Sequence, residues 1–431
     1  MLQFTARRDG REVGTVEVDE TMGSAAEIEE RIRLGTQRLG QVALELALQD
    51  VADQAPPPWC CGHAMQSRGQ RVLTVHSTFG DVLISRRVSR CAACGARAVP
   101  ADARICCGRH RVTKPLAKRA CQLATLAHFT ELPTLLADQH HVTLSHETLI
   151  ELVHDVGGQA ERLRLAEAQA SRKQRQPPRS AVPAPHRIWV SVDGTMYCTN
   201  IREPDPEHPG QKKLVWQQMK VGCVAWEDDR GAWHKQLVWG REAPEEFGAA
   251  LWRLACRCGY QQAKDKLFAA DGGDWCWTIQ ATYFSDATGL LDWYHVSEHV
   301  HAAAKIVAAS DAEGWAQAAL DQLWNQGGES LIAGLEAQLN GRRGQSRSAL
   351  EGLRNYLIGQ RNHLEFRQSR ERGWPIGTGR MESSCKQLVG VRLKGPGMHW
   401  TEHGALAMTA LKATDLNGQW HVFWKTLALA T

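Results

Sequence analysis

The sequence predicts an α+β chain of several domains, in which an α/β sheet domain is interrupted by an all-helical block and preceded by a cysteine-bearing, partly helical region. Three observations predict it. Apolar strand and helix patterns alternate from residue 187 to residue 298, with acids at the ends of the first and fourth strands. Strand signals then stop, and helical periodicity runs to residue 372. Upstream, two cysteine clusters bracket a hairpin pattern. The 431 residues exceed the size at which one core keeps growing, so two or three domains are expected.

Composition excludes more than it selects. The net charge of +4 does not announce a polyanionic partner, so basic residues matter only where they cluster. No apolar run reaches the roughly 18 residues of a membrane span. The start, MLQFTARRDGREVG, lacks the apolar core of a signal peptide, which predicts a cytoplasmic protein. The 13 cysteines are then read as thiols, some of them metal ligands, rather than as disulfides. Of the 16 tryptophans, Trp275, Trp277, Trp315 and Trp324 are candidates to stack on a base, with core packing as the plainer reading.

Residues 1–55 form an N-terminal segment with a periodic helix over Ala25–Val51, closed by Pro56–Pro58. Residues 56–108 carry Cys60, Cys61 and His63 in WCCGHAM, then Cys91 and Cys94 at C-x2-C spacing, on either side of alternating Arg71–Val75 and Asp81–Val88. Zinc takes four N or S ligands tetrahedrally, and two knuckles across a hairpin supply them. Four of these five are the candidate structural zinc ligands, with reduced, metal-free cysteines as the alternative. Cys106 and Cys107 are secondary candidates behind these five. In residues 109–170, Pro115–His128, Leu132–Asp138 and a helix opening at Ser145 predict a helix-turn-helix-like unit. Gly157 is expected to stop that last helix. Its outward face would carry His146, Glu147, Glu151 and His154, so a plain helical packing unit stays open. Residues 171–186, basic and proline-rich, read as a linker.

The sheet domain opens with a strand over Arg187–Thr195, followed by strands over Lys213–Trp226 and Ala232–Trp239, a helix over Glu245–Cys258, and strands over Lys266–Asp271 and Leu290–Asp292. That order is ribonuclease-H-like. Residues 299–372 are helical, and residues 373–431 return to the sheet domain through glycine-rich Arg372–Gly397. Glu382 lies there in the first turn of a helix, among Arg380, Lys386, Arg392 and Lys394.

A two-metal phosphodiester site needs about three carboxylates converging on divalent ions roughly 4 Å apart. Asp193 and Asp271 end two strands, and Glu382 approaches from a helix, so these three are the candidate catalytic residues and Mg²⁺ or Mn²⁺ ligands. Each alone is also a plain turn or surface residue. Arg380, Lys386, Arg392 and Lys394 suit DNA phosphates, although Lys386 is also placed to ion-pair with Glu382 on one helix face.

The segments VSVDGT, AADGGDW, LLDWYHVSEHV and above all WPIGTGRMESSCKQLVGVRLKGPGMHW resemble DDE transposases of the ISKra type of bacterial insertion sequence. The resemblance covers residues 187–431 well and the N-terminal half loosely. It implies that Asp193, Asp271 and Glu382 are the metal-binding triad and that Asp292-x2-His295 is a supporting D-x2-H motif. It implies two magnesium or manganese ions, binding to terminal inverted repeats and target DNA, a homodimer or larger assembly on DNA, and a nucleoid-associated location. Two alternatives are a ribonuclease-H-like nuclease without strand transfer and a domesticated DNA-binding protein without catalysis.

Overall fold

The computed structural model describes residues 2–18, 23–105, 108–173 and 177–427. The chain divides into two compact units, one of residues 1–161, 406–411 and 420–431, the other of residues 162–405 and 412–419. Among the described residues, no helix is long and apolar enough to cross a membrane.

The first unit begins with an antiparallel hairpin of β1 (Leu2–Arg8) and β2 (Arg11–Val18). Helix α1 (Ala25–Asp53) starts at Ser24, whose hydroxyl accepts from Glu27 N–H while the Glu27 carboxylate accepts from Ser24 N–H, a reciprocal cap. A short hairpin, β3 (Trp59–Cys60) and β4 (His63–Ala64), precedes a sheet of β5 (Gln66–Ser77), β6 (Gly80–Arg90) and β7 (Arg97–Ala98). Alternation along β5 and β6 sends Leu73, Val75, Val82 and Ile84 to one face, where α1 covers them with Leu44, Leu48 and Ala52. Helix α2 (Pro100–Ile105) adds Ala101 to that core.

Helices α3 (Lys114–Ala124), α4 (Leu132–His140) and α5 (His146–Lys173) follow. Ser145 caps α5 by accepting from Thr148 N–H at 3.1 Å. Gly157 does not end it. The helix runs on to Lys173, and a Cβ at Gly157 would stand 2.3 Å from the carbonyl oxygen of Ala407. The glycine admits a crossing backbone rather than a stop, and a lone sequence cannot separate those two uses. Glu147 and Glu151 are exposed on α5, and Asp155 pairs with Arg109 and His110. That face has the wrong sign for a duplex-reading helix.

The second unit holds a five-stranded sheet of β8 (Arg187–Pro204), β9 (Lys212–Glu227), β10 (Trp233–Gly240), β11 (Asp265–Ala270) and β12 (Thr288–Leu291). Their order in the sheet is β10-β9-β8-β11-β12, antiparallel from β10 to β8 and parallel from β8 to β12. Ile188, Val190 and Val192 of β8 join Phe247 and Leu251 of α6 (Pro244–Arg257) and Cys276 and Ile279 of α7 (Asp274–Tyr283) in one core. The alternate residues Trp189, Ser191 and Asp193 therefore face the other side of the sheet.

After β12 the chain is helical. Helices α8 (Trp293–Val307), α9 (Ala312–Gln326), α10 (Gly328–Leu339) and α11 (Gly344–Gly359) pack on one another through buried Val300, Leu323, Leu335 and Leu357. Helix α12 (Phe366–Glu371) leads to α13 (Gly379–Cys385), a π turn over Lys386–Gly390, and the single turn α14 (Val391–Leu393). Ser384 of α13 meets Cys223 of β9, which places α13 on the sheet face opposite α6 and α7. Helices α15 (Glu402–Leu416) and α16 (Trp420–Thr426) close the described chain.

Candidate active site

The parallel pairing of β8, β11 and β12 ends along one line, and an acid follows on each strand. The last β8 residue paired to β11 is Ser191, opposite Ala269. Asp193 comes two residues later on the same face, just where β8 has parted from β11 but still pairs with β9. Asp271 directly follows β11, and Asp292 directly follows β12. Open sheets present ligands at such carboxyl ends. Here they border a cavity of about 220 Å³ lined by Val192, Asp193, Asp271, Asp292, Tyr294, His295, Glu298, Thr378, Met381 and Glu382. The three candidate acids line one cavity although they lie far apart in the chain.

Each acid is set by local geometry. Asp193 accepts the backbone N–H of Gly194 on Oδ1 at 2.6 Å and the thiol of Cys385 on Oδ2 at 3.4 Å. Asp271 accepts the N–H of Gly273 at 3.2 Å and the thiol of Cys276 at 3.7 Å, both on Oδ1. Gly272 between them has φ +105, which a side chain rarely adopts, and its carbonyl accepts from Gln360 Nε2 at 2.9 Å. The Gln360 amide oxygen in turn accepts from Trp277 Nε1 at 2.6 Å, and His363 stacks on the Trp277 ring at 3.7 Å. So Trp277 is used in holding the Asp271 loop. Glu382 is exposed in the first turn of α13.

Asp292 has a different task. It is 3% exposed and fully engaged. Oδ1 accepts from the N–H groups of Tyr294 and His295, capping α8, while Oδ2 accepts the N–H and hydroxyl of Thr378. Thr378 is the residue before α13, so Asp292 ties the start of α8 to the turn that delivers Glu382. His295 is half-exposed on the cavity wall, beside Glu298 at 3.8 Å.

Burial, then the neighbouring Asp271 and finally Glu382, hold the Asp193 carboxyl above its ordinary 3.8, against the two hydrogen bonds it accepts. Among the described residues no ion pair reaches Asp193, Asp271 or Glu382, and none joins Glu382 to Lys386. The three acids are not gathered within 4.8 Å of one another. Carboxylate oxygens without a cationic partner among the described residues are the kind of donor that hard divalent cations take.

The four cations near Glu382 separate. Arg380, Lys386 and Lys394 are exposed, with Arg380 lying over the Trp233 ring at 4.1 Å. Arg392 is 1% exposed, and its guanidinium lies over the Trp400 ring at 5.6 Å. A phosphate cannot reach a guanidinium so placed, which corrects the expectation for that residue. Arg392 follows a π turn, in which Val391 N–H donates to Lys386 O five residues back, and shares the inward face of buried Met381 and Leu388.

In the first unit, Cys60, Cys61, Cys91 and Cys94 bring their sulfurs within 4.8 Å of one another and could hold a metal. Cys61 and Gly62 both have positive φ, making the tight turn that pairs Cys60 with His63. The Cys60 sulfur lies 3.8 Å from Cys61 and 3.5 Å from Cys94. A tetrahedral zinc with bonds of about 2.3 Å has sulfurs about 3.8 Å apart. The backbone N–H of Cys94 draws the Cys91 thiol down to about 6. His63 is exposed and outside the group, so the cluster is all sulfur. Cys106 and Cys107 lie outside the described residues. Asp205, Glu207 and His208 form a second, surface group in the β8–β9 loop.

Sequence reasoning missed Glu298, Thr378, Cys276 and Cys385. Glu298 was legible as the residue one turn after His295; the others touch the site only through the fold.

No family model matches the chain, and no curated protein matches it. Among solved structures it is similar to the Drosophila P element transposase strand transfer complex, at TM-score 0.26 and 9% identity, covering 74% of this chain and 81% of that chain. So slight a likeness carries no argument.

Proposed function

We propose that this chain is a DNA transposase of the DDE type, cutting and joining DNA with a ribonuclease-H-like domain interrupted by helices α8–α11. The observation that carries the reading is the placement of Asp193, Asp271 and Glu382 around one cavity at the ends of parallel strands. The strand order β10-β9-β8-β11-β12 supports it, as do the motif segments quoted above. Asp193, Asp271 and Glu382 would hold two Mg²⁺ or Mn²⁺ ions, which when bound supply an activated water or 3′-hydroxyl and stabilise the leaving oxygen. The chain's own part is to fix the three carboxylates, with Asp292 anchoring the turn before Glu382. Arg380, Lys386 and Lys394 would hold the DNA strand by its phosphates. Terminal inverted repeats and target DNA are the proposed partners. Bringing two ends together requires at least a homodimer. The four-cysteine cluster would hold structural zinc.

The test uses a supercoiled plasmid carrying the genomic flanks of the coding sequence, with Mn²⁺ or Mg²⁺. Nicked and joined products are expected from the parent. Asp193→Ala, Asp271→Ala and Glu382→Ala should each lower cleavage by at least about 10²-fold. Equal cutting by Asp193→Ala would end this reading, and cutting without joined products would leave a plain nuclease.

A further inference from the structure

Two buried thiols touch the site's aspartates, and the proposed chemistry uses neither. Cys385 is 6% exposed with its sulfur 3.4 Å from Asp193 Oδ2; Cys276 is fully buried with its sulfur 3.7 Å from Asp271 Oδ1. They come from opposite faces of the sheet. Cys276 belongs to α7 and the core it shares with α6, while Cys385 is the last residue of α13. Each aspartate thus receives one backbone N–H and one S–H. On Asp193 the two donors take different oxygens, whereas on Asp271 both take Oδ1 and, among the described residues, leave Oδ2 without a donor.

A carboxylate has about four lone-pair positions, and a donor on one fixes the direction of the rest. A free aspartate in a wide cavity would swing about its side-chain torsions. These two are each held at a second point.

We propose that Cys385 and Cys276 are positioning residues, whose S–H groups orient Asp193 and Asp271 so that the remaining lone pairs point at the divalent cations. This rests on the metal-site reading above. Outer-shell partners typically contribute 10- to 100-fold in metal affinity, and a thiol is a weak donor, so the lower end is expected.

The experiment titrates Mn²⁺ into the full chain by calorimetry, with thermal melts to confirm folding. Parent, Cys385→Ala, Cys385→Ser, Cys276→Ala, Cys276→Ser and Asp193→Ala are compared. Positioning predicts that each Ala variant binds Mn²⁺ about tenfold more weakly, while each Ser variant, which keeps a donor, stays within about threefold of the parent. A role in packing alone predicts the reverse order, because a hydroxyl suits an apolar site worse than a methyl group. Ala variants that bind like the parent, or Ser variants that bind worst, overturn the proposal. The two positions are read independently, so one unfolded variant leaves the other position decisive. Mn²⁺ binding unchanged by Asp193→Ala would instead remove the metal site and the proposal with it.

Discussion

Asp193 is the residue whose surroundings are least comfortable without a cation. Desolvation and the charge of Asp271 raise its carboxyl above 3.8. A raised folded-state value means that the folded chain holds this proton more tightly than the unfolded chain does. Its contribution therefore favours folding in full below pH 3.8 and is lost as pH rises through the raised value. Metal-free Asp193→Asn should then melt higher than the parent at neutral pH in chelator, with the difference closing at acid pH. Saturating Mn²⁺ should reverse the order, because only the parent keeps the ligand. A difference independent of pH would contradict the electrostatic account. Asp292 is the opposite case, a buried acid with every partner in place. Asp292→Ala removes a helix cap and strands the donors of Thr378, so a loss of at least about 2 kcal/mol is expected in urea unfolding.

At the scale of elements, two glycines give a paired prediction. Gly157 and Gly352 both sit inside helices. Glycine to alanine in a helix ordinarily stabilises by about 0.5–1 kcal/mol. At Gly352 a Cβ meets nothing within 4 Å, so Gly352→Ala should show that gain. At Gly157 the same Cβ would meet the Ala407 carbonyl, and Gly157→Ala should lose about 1–3 kcal/mol instead. Denaturation midpoints of the two variants check both signs. The strands were legible to within a few residues, because alternating apolar residues flanked by turns leave little freedom. The expected first strand, Arg187–Thr195, was too short: the observed one continues to Pro204. Beyond Thr195 it pairs with β9 and, among the described residues, bridges only to Trp400 at Thr199 on its other edge, and such a ribbon needs no continuous apolar run. Arg392 was misread because its charge was weighed without its position: eleven residues after buried Met381, regular helical spacing returns it to within about 20° of that inward face.

Across the whole molecule, the cysteine cluster and the acids belong to different compact units. Stripping a sulfur-bound metal, or replacing Cys91 by Ser, should lower the zinc content and melt the first unit early. Mn²⁺ binding at the acids should persist. Parallel loss of both in calorimetry would show that the two units do not unfold separately. The order of chemistry along the chain was readable because carboxylates, cysteines and glycines are rare in these combinations. Which acid faced which neighbour was not, since that depends on β8 and β11 pairing across more than seventy intervening residues.

The π turn behind Glu382 behaves as a one-residue insertion that the helix has absorbed. Because the wider turn has already taken up the extra residue, deleting one residue from 386–390 would let an ordinary helix form while the flanking segments keep the faces they now present. Glu382, upstream, and Arg392, downstream against its tryptophan, would both keep their places. A single-codon deletion here should therefore be tolerated where the same deletion one turn earlier would carry the acid away from its cavity.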